Sequence, residues 1–377
     1  MRILFISSRL PGRIDTGGDQ WAATVVASLR RSGHHVGLIG YDMGGRSTGA
    51  DCVAVPIGET RTGLAPARAL GWGLAALASG HPYTVQKWRS HGFRRKLRAT
   101  LARQHWDLAI VYGSPMSWTL EDLAGVALIH LSPEPAHILY GLAARAKTGP
   151  ARLVYAREAR LLAREERKLV ERAVETWCIS DVDADHFRRL GAGRVRSLTP
   201  LCRPEWAMTD RAAPPEHDVV MLGNWLWKPN AEALRSFIRQ VVPLLPASWR
   251  IAVGGAAARS AMRVPHNVRL LGPVDDACAF LLSGRRIAVP STSAVGFNLK
   301  LLDAIAAARP VVATDAALKL AGPVPGHVRG ASDAAAFAVT LQGAPAPDLD
   351  EIGQWMAARR SALDRSVREG LAAIMAG

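Results

Sequence analysis

The sequence predicts an α/β chain built of two doubly wound parallel-sheet domains, and three observations carry that expectation. Short apolar runs alternate with helical stretches along nearly the whole chain, the pattern of a parallel sheet covered by helices. The alternation stops in a Pro-rich, irregular stretch at residues 200–215 and then restarts. At 377 residues, the chain is also long for one compact domain. The expected division is a first domain over residues 1–200, a second over 216–350, and a terminal helix over 351–377 that crosses back to the first.

In chain order, the apolar run 2–6 reads as a strand, followed by a loop and a helix over 20–31 with Trp21, Val25 and Leu29 every fourth residue. Residues 36–39 and 52–57 are brief strands bounded by Gly and Asp, and 108–112 and 126–131 read as buried strands. A charged helix over 153–173, a strand over 175–180 and a short helix over 183–190 stopped by Gly191 complete the first half. The second half offers strands at 218–222, 250–253, 268–271, 287–290 and 311–314, with helices over 231–242 and 299–308. Trp355, Leu363, Val367 and Leu371 share one side of a last helix over 352–375. No repeat marks a solenoid.

Hydrophobic residues make up 49% and charged residues 21%, enough apolar material for packed cores. The apolar run before Ser7 and Ser8 is too short for an export signal or a membrane span, and the four cysteines form no CxxC pair. Reduced thiols in a cytoplasmic protein are the expectation, with no metal and no cofactor. The net charge is +15, of which residues 1–200 carry +11. Such a field favours anionic partners: a phospholipid surface at the inner face of the membrane or a phosphorylated substrate. Nucleic acid is disfavoured because no recognition motif accompanies the charge. The densest basic segment, Trp88 to Arg98, mixes aromatics with bases; it reads equally as an interfacial segment and as a solvated helix face.

Open parallel sheets bind ligands beyond the carboxyl ends of their strands. After the first strand, Gly17 and Gly18 precede a helix and permit close backbone approach to phosphate, although GxGxxG is absent. In the second half, Gly223 and Asn224 follow a strand, and Lys228 could neutralise a phosphate. The segment 291–303 is richer. Gly296 lies in a loop, Asn298 and Lys300 stand at the start of a helix where dipole and ammonium would both favour a diphosphate, and Asp303 could accept ribose hydroxyls. The plainer alternative is that Lys300 and Asp303 pair on a solvated helix.

The runs WKPNAEALRSFIRQVVPLLP, NVRLLGPVDD and GFNLKLLDAIAAARPVVAT, with an N-terminal GGDQ helix ending RRSGHHV, resemble retaining glycosyltransferases of family 4. Those that build bacterial exopolysaccharides and other surface glycans are the most similar. The resemblance implies the GT-B fold: two Rossmann-like domains facing across a cleft, a nucleoside-diphosphate sugar of UDP or GDP type held mainly by the second, and no required metal. It implies that Gly17 and Gly18 lie beside the donor phosphates and that His130 lies near the transferred sugar. The family's basic residues after the first strand of the second domain fall here at Asn224 and Asn230, which leaves Lys228 as a displaced substitute, expected with Lys300 to stabilise the leaving diphosphate. Val295, Gly296, Phe297, Asn298 and Leu299 match the loop that binds sugar and diphosphate, and Asp303 matches the ribose-binding carboxylate. Glu134, after His130, would orient the acceptor, which is a glycan, a lipid-linked sugar or a small molecule. The first carboxylate of the family's acidic pair is missing here. A catalytically silent nucleotide-sugar-binding protein and a nucleotide-sugar 2-epimerase are the alternatives.

Overall fold

A computed structural model describes residues 1–11, 14, 16–42, 51–56, 65–207, 214–256, 263–292 and 296–375, with backbone only for 65–70 and 74. The chain forms two compact units, Met1–Thr199 with Ala362–Gly377, and Pro200–Ser361.

The first unit is organised by seven strands: β1 (Arg2–Ile6), β2 (His35–Asp42), β3 (Cys52–Pro56), β4 (Leu108–Tyr112), β5 (Ala127–Ser132), β6 (Glu175–Cys178) and β7 (Val195–Ser197). They form one parallel sheet in the order β3-β2-β1-β4-β5-β6-β7. The run Ile3 to Ile6 has no exposed surface. A central parallel strand is covered on both faces, which is why its sequence is continuously apolar rather than alternating. The helices are α1 (Gly17–Arg31), α2 (Ala65–Ser79), α3 (Tyr83–Gln86), α4 (His91–Arg103), α5 (Ala136–Arg145), α6 (Gly149–Arg172) and α7 (Asp181–Leu190).

Helix α6 does more than cover the sheet. Three of its carboxylates are buried, and each serves a different neighbour. Glu158 accepts from the backbone N–H groups of Tyr83 (3.0 Å) and Thr84 (2.9 Å), capping α3. Glu165 accepts from the Ser117 hydroxyl at 2.8 Å, in the 3-10 helix Ser114–Asp122. Glu166 accepts from the N–H of Ala136 at 2.7 Å and also binds the His137 ring, fixing the start of α5. The first turns of α3 and α5 lack side-chain caps of their own, and α6 satisfies their orphan N–H groups instead.

The second unit holds β8 (His217–Leu222), β9 (Ile251–Gly254), β10 (Val268–Gly272), β11 (Gly284–Val289), β12 (Val311–Thr314) and β13 (Val328–Ala331) in the order β10-β9-β8-β11-β12-β13, again all parallel. Its helices are α8 (Lys228–Ser236), α9 (Ala277–Leu282), α10 (Leu299–Ala306), α11 (Asp315–Leu318), α12 (Ala334–Gly343) and the first part of α13 (Leu349–Met375). Successive residues of β8 feed opposite faces. Val220 joins a core with Ile287, Leu301 and Ile305, while Val219 and Met221 join one with Leu234, Phe237 and Phe337. Trp355 and Met356 of α13 pack on the first of these cores. Further along α13, Leu363, Val367 and Leu371 are buried, and Asp364 accepts from Ser28 (2.5 Å) and Arg31 (2.7 Å) of the first unit.

The apolar runs of the sequence locate eleven of these strands. Strands β7 and β13 are short and partly exposed, so they lack the apolar signal. The helix expected over 231–242 is broken: α8 gives way to a π turn over Phe237–Val241 and a 3-10 turn over Val242–Leu244 containing Pro243, which cannot donate to an α-helical ladder.

Candidate functional site

Each sheet reverses its strand order once, between β1 and β4 in the first unit and between β8 and β11 in the second. In a doubly wound sheet the loops leaving the strands on either side of such a reversal diverge, and the crevice between them is where the backbone is offered to a ligand.

In the second unit the two loops are joined by Lys300, in the first turn of α10. Its Nζ donates to Asn230 Oδ1 at 3.1 Å and to the carbonyl of Pro290 at 3.3 Å, and lies 5.8 Å from the centre of the Trp225 ring. Among the described residues no carboxylate pairs with it. All its partners are neutral, so the positive charge stays uncompensated, and burial pulls the ammonium down to about 8. A cation held among neutral acceptors at a helix start is suited to a phosphate oxygen. Lys300 and Asp303 therefore do not form the exposed pair that their spacing allowed.

The loop after β8 is shaped by aromatic packing. Trp225 is buried, and its Nε1 donates to the carbonyl of Gly254 at 2.9 Å. A Cβ on Gly223 would meet the Trp225 ring at 3.0 Å, and one on Gly255, at φ +115°, would stand 1.9 Å from the Gly223 carbonyl oxygen. Gly223 thus admits a neighbouring side chain and backbone. Asn224 is occupied within its turn, its Oδ1 accepting from the N–H of Leu226 at 3.1 Å and its carbonyl from Asn230 Nδ2 at 3.0 Å. Lys228, at the first position of α8, is exposed and pairs with Glu232 at 3.4 Å, one turn along.

Gly296 has φ +78° with open space where a Cβ would be, so its glycine serves the backbone conformation. Phe297 faces the Arg359 guanidinium at 5.8 Å. Asn298 precedes α10 without capping it through its side chain, and Leu299 is buried. Val295, with Ser293 and Ala294, lies outside the described residues.

Asp303 is not open to a ribose in this structure. Its carboxylate is buried, accepting from Arg203 N and Nε, both at 2.8 Å, and from Trp206 Nε1 at 3.3 Å. It ties the start of the second unit to α10. Arg203 stands in the Pro-rich stretch, 100 residues away in sequence, and no local pattern links the two. Trp225, Asn230 and Arg203 are the residues that sequence reasoning did not select; only an aromatic and an amide beside a lysine hinted at the first two.

In the first unit, Gly17 and Gly18 open α1. The Gly18 carbonyl accepts from the Tyr112 hydroxyl at 2.7 Å. The helix start already holds an anion: Thr16 and Asp19 form a capping box, with Asp19 accepting from Thr16 N (2.9 Å) and lying 3.5 Å from Arg9 Nε. A phosphate here would meet the Asp19 charge.

His130 lies within β5 with no exposed surface, its ring edge-on to Phe187 at 5.3 Å. Among the described residues neither ring nitrogen has a hydrogen-bond partner, and burial drives the imidazole down to about 3, so it is neutral at physiological pH. Glu134, in the loop beyond, is reached by solvent, yet its crowded setting and the like charges of Asp183 and Glu166 push it up to about 7. Of the two, Glu134 is the group presented at the strand's carboxyl end.

Residues 216–343, which supply this crevice, match the family model described as glycosyl transferases group 1. The second unit carries a group 1 glycosyltransferase domain. By that domain the chain is a glycosyltransferase. No curated protein matches the chain. Among solved structures, the chain is similar to Anabaena HepE in complex with UDP-glucose (14% identity, TM-score 0.60, covering 99% of this chain and 100% of that one). It is also similar to an α,α-trehalose-phosphate synthase (UDP-forming) from Burkholderia vietnamiensis (16%, 0.58, 99% and 99%) and a sucrose-phosphate synthase from Thermosynechococcus elongatus (14%, 0.57, 99% and 94%). At these identities the likeness concerns the fold, which is GT-B: two Rossmann-like parallel-sheet domains of seven and six strands.

Proposed function

We propose that this glycosyltransferase moves a sugar from a nucleoside-diphosphate donor to an acceptor hydroxyl with retention of configuration, in the assembly of a bacterial surface glycan. The observation that carries the donor reading is Lys300, a cation with neutral partners at the first turn of α10, beside the loop of Gly296. In the transition state, charge grows on the leaving diphosphate, and a positioned ammonium with helix-terminal N–H groups stabilises it there. Glu134, raised to about 7, is the group proposed to orient the acceptor hydroxyl. His130, neutral and enclosed, is proposed to support the loop that carries Glu134. A uridine donor is the first to try, because the HepE structure to which the chain is similar holds UDP-glucose.

The test is calorimetric titration with UDP and GDP, followed by turnover of the matching sugar nucleotides over an acceptor panel, with the product's anomeric configuration read by NMR. Binding of neither nucleotide would defeat the donor reading, and an inverted product would defeat retention. Binding without turnover on any acceptor would point to a silent binding protein, and conversion of the donor alone to an epimerase.

A further inference from the structure

We propose that the tip of the α5–α6 hairpin docks on a bilayer surface carrying anionic lipids. The inference is independent of the donor crevice. The basic segment most conspicuous in sequence does not offer such a surface. The Trp88 ring packs against Tyr41 at 5.5 Å, and Phe93 and Leu97 are buried under α4. Arg94 and Arg98 pair with Asp122, and Lys96 donates to the Ala54 carbonyl. That segment is a helix with its apolar side spent on the core.

The hairpin tip differs in each respect. Ala151, Arg152, Leu153 and Val154 are all exposed, and four consecutive helical residues point in every direction around the axis, so among the described residues nothing covers this stretch of α6; the helix meets its neighbours from Tyr155 on, where Arg157 donates to the Ala76 carbonyl at 2.9 Å. Leu153 is 72% and Val154 64% exposed, and Leu142, near the end of α5, is 39% exposed. The two helices hold together there by Tyr140 stacked on Tyr155 at 5.8 Å and by Lys147 over the Tyr155 ring at 5.1 Å. The tip is therefore a built element, with its aromatics used inside the hairpin and its aliphatics left outside.

Charge selects the occupant. No acidic residue stands between Glu134 and Glu158, whereas Arg145, Lys147, Arg152 and Arg157 do. Arg157 and Arg160 continue the Leu153 stripe at helical spacing, and Arg145, Arg152 and Arg160 are exposed with no ion-pair partner among the described residues. Aliphatic side chains ringed by unpaired bases suit the boundary between headgroups and acyl chains; a protein interface would want aromatic anchors in a closed pocket. No described helix is long and apolar enough to cross a membrane, so the contact would be peripheral. Helix α5 has ten residues, which sets the tip about 15 Å from the end that follows Glu134. An acceptor carried on a lipid would have its sugar within that reach.

The experiment is co-sedimentation of the full chain with vesicles of phosphatidylcholine alone and of phosphatidylcholine with about a third phosphatidylglycerol. Binding to the anionic vesicles is expected, weakening as salt is raised. The pair Leu153→Asp with Val154→Asp, and the pair Arg145→Glu with Arg152→Glu, should each lower that binding by about tenfold or more at an unchanged unfolding midpoint. Arg95→Glu with Arg103→Glu, the same charge change on exposed positions of α4, should stay within about threefold. The proposal is overturned if the wild-type chain fails to sediment with anionic vesicles, if the tip pairs bind as well as wild type, or if the α4 pair loses as much. It is equally overturned if the tip proves to be a self-association face, with a dimer in light scattering that Leu153→Asp abolishes while vesicle binding persists.

Discussion

Replacing Lys300 with Met keeps the length and apolar stem of the side chain and removes its charge. Burial holds the ammonium at about 8 against an ordinary 10.5. A shift of that size means that keeping the group charged at pH 7 costs the folded chain up to about 3 kcal/mol. The folded pKa is depressed, so between about 8 and 10.5 the unfolded chain binds the proton and the folded chain does not; stability therefore rises with pH across that window. Lys300→Met should abolish this rise and be more stable than wild type at pH 7. It should also lose a charge-assisted contact with phosphate, about 1.5–3 kcal/mol, or roughly 10- to 100-fold in UDP affinity. In the wild type, UDP affinity should fall as pH passes 8, and in the variant it should be flat. Urea unfolding at pH 7 and pH 10, with calorimetric UDP titrations at both, measures all four quantities. A Lys300→Met chain that is less stable than wild type yet binds UDP equally well would refute the reasoning, since Lys300 would then be a structural cation.

Asp303→Ala would strand the Arg203 guanidinium and the Trp206 N–H, which should cost about 3–5 kcal/mol and lower the thermal midpoint by roughly 10 °C. UDP affinity of the folded protein should stay within about threefold of wild type, whereas a ribose-binding role would show the reverse, with lost affinity and little lost stability. His130, held at about 3, is neutral in the fold but protonates near 6.5 when unfolded, so its contribution is full above 6.5 and is lost as pH falls toward 3. His130→Leu should flatten that acid limb, worth about 3 kcal/mol at most between about pH 6.5 and 4, in urea midpoints measured from pH 7 to 4. Gly255→Ala drives a Cβ into the Gly223 carbonyl at a positive φ and should cost about 2–3 kcal/mol or more by chemical denaturation, with weaker UDP binding as the β8 loop is displaced.

The strands were legible because central parallel strands are sheathed on both faces and so must be apolar throughout; Ile3 to Ile6 and Val219 to Met221 declare themselves. Lys300 was legible too, since a lysine at the start of a helix after a glycine loop is defined within a few residues. Asp303 shows the limit. Its spacing from Lys300 and its place on the helix said nothing of Arg203, whose contact is made only when the Pro-rich stretch folds across α10. Lys228 reads in sequence as a phosphate ligand; in the fold its side chain is exposed and pairs with Glu232, one turn along. The enclosure of His130 was hidden for a different reason: a strand's sequence does not say how deep in the sheet a given position lies.

The three inward carboxylates of α6 have a mechanical consequence. At 24 residues the helix is a rod about 36 Å long, and Glu158, Glu165 and Glu166 pin the start of α3, Ser117 within the 3-10 helix and the start of α5 to one stretch of it. Those loop ends cannot settle independently; a roll or tilt of α6 carries all of them together. Because Ala136, held by Glu166, is two residues from Glu134, a load borne at the exposed end of α6 is delivered to the backbone beside Glu134, as by a lever with its fulcrum in the core.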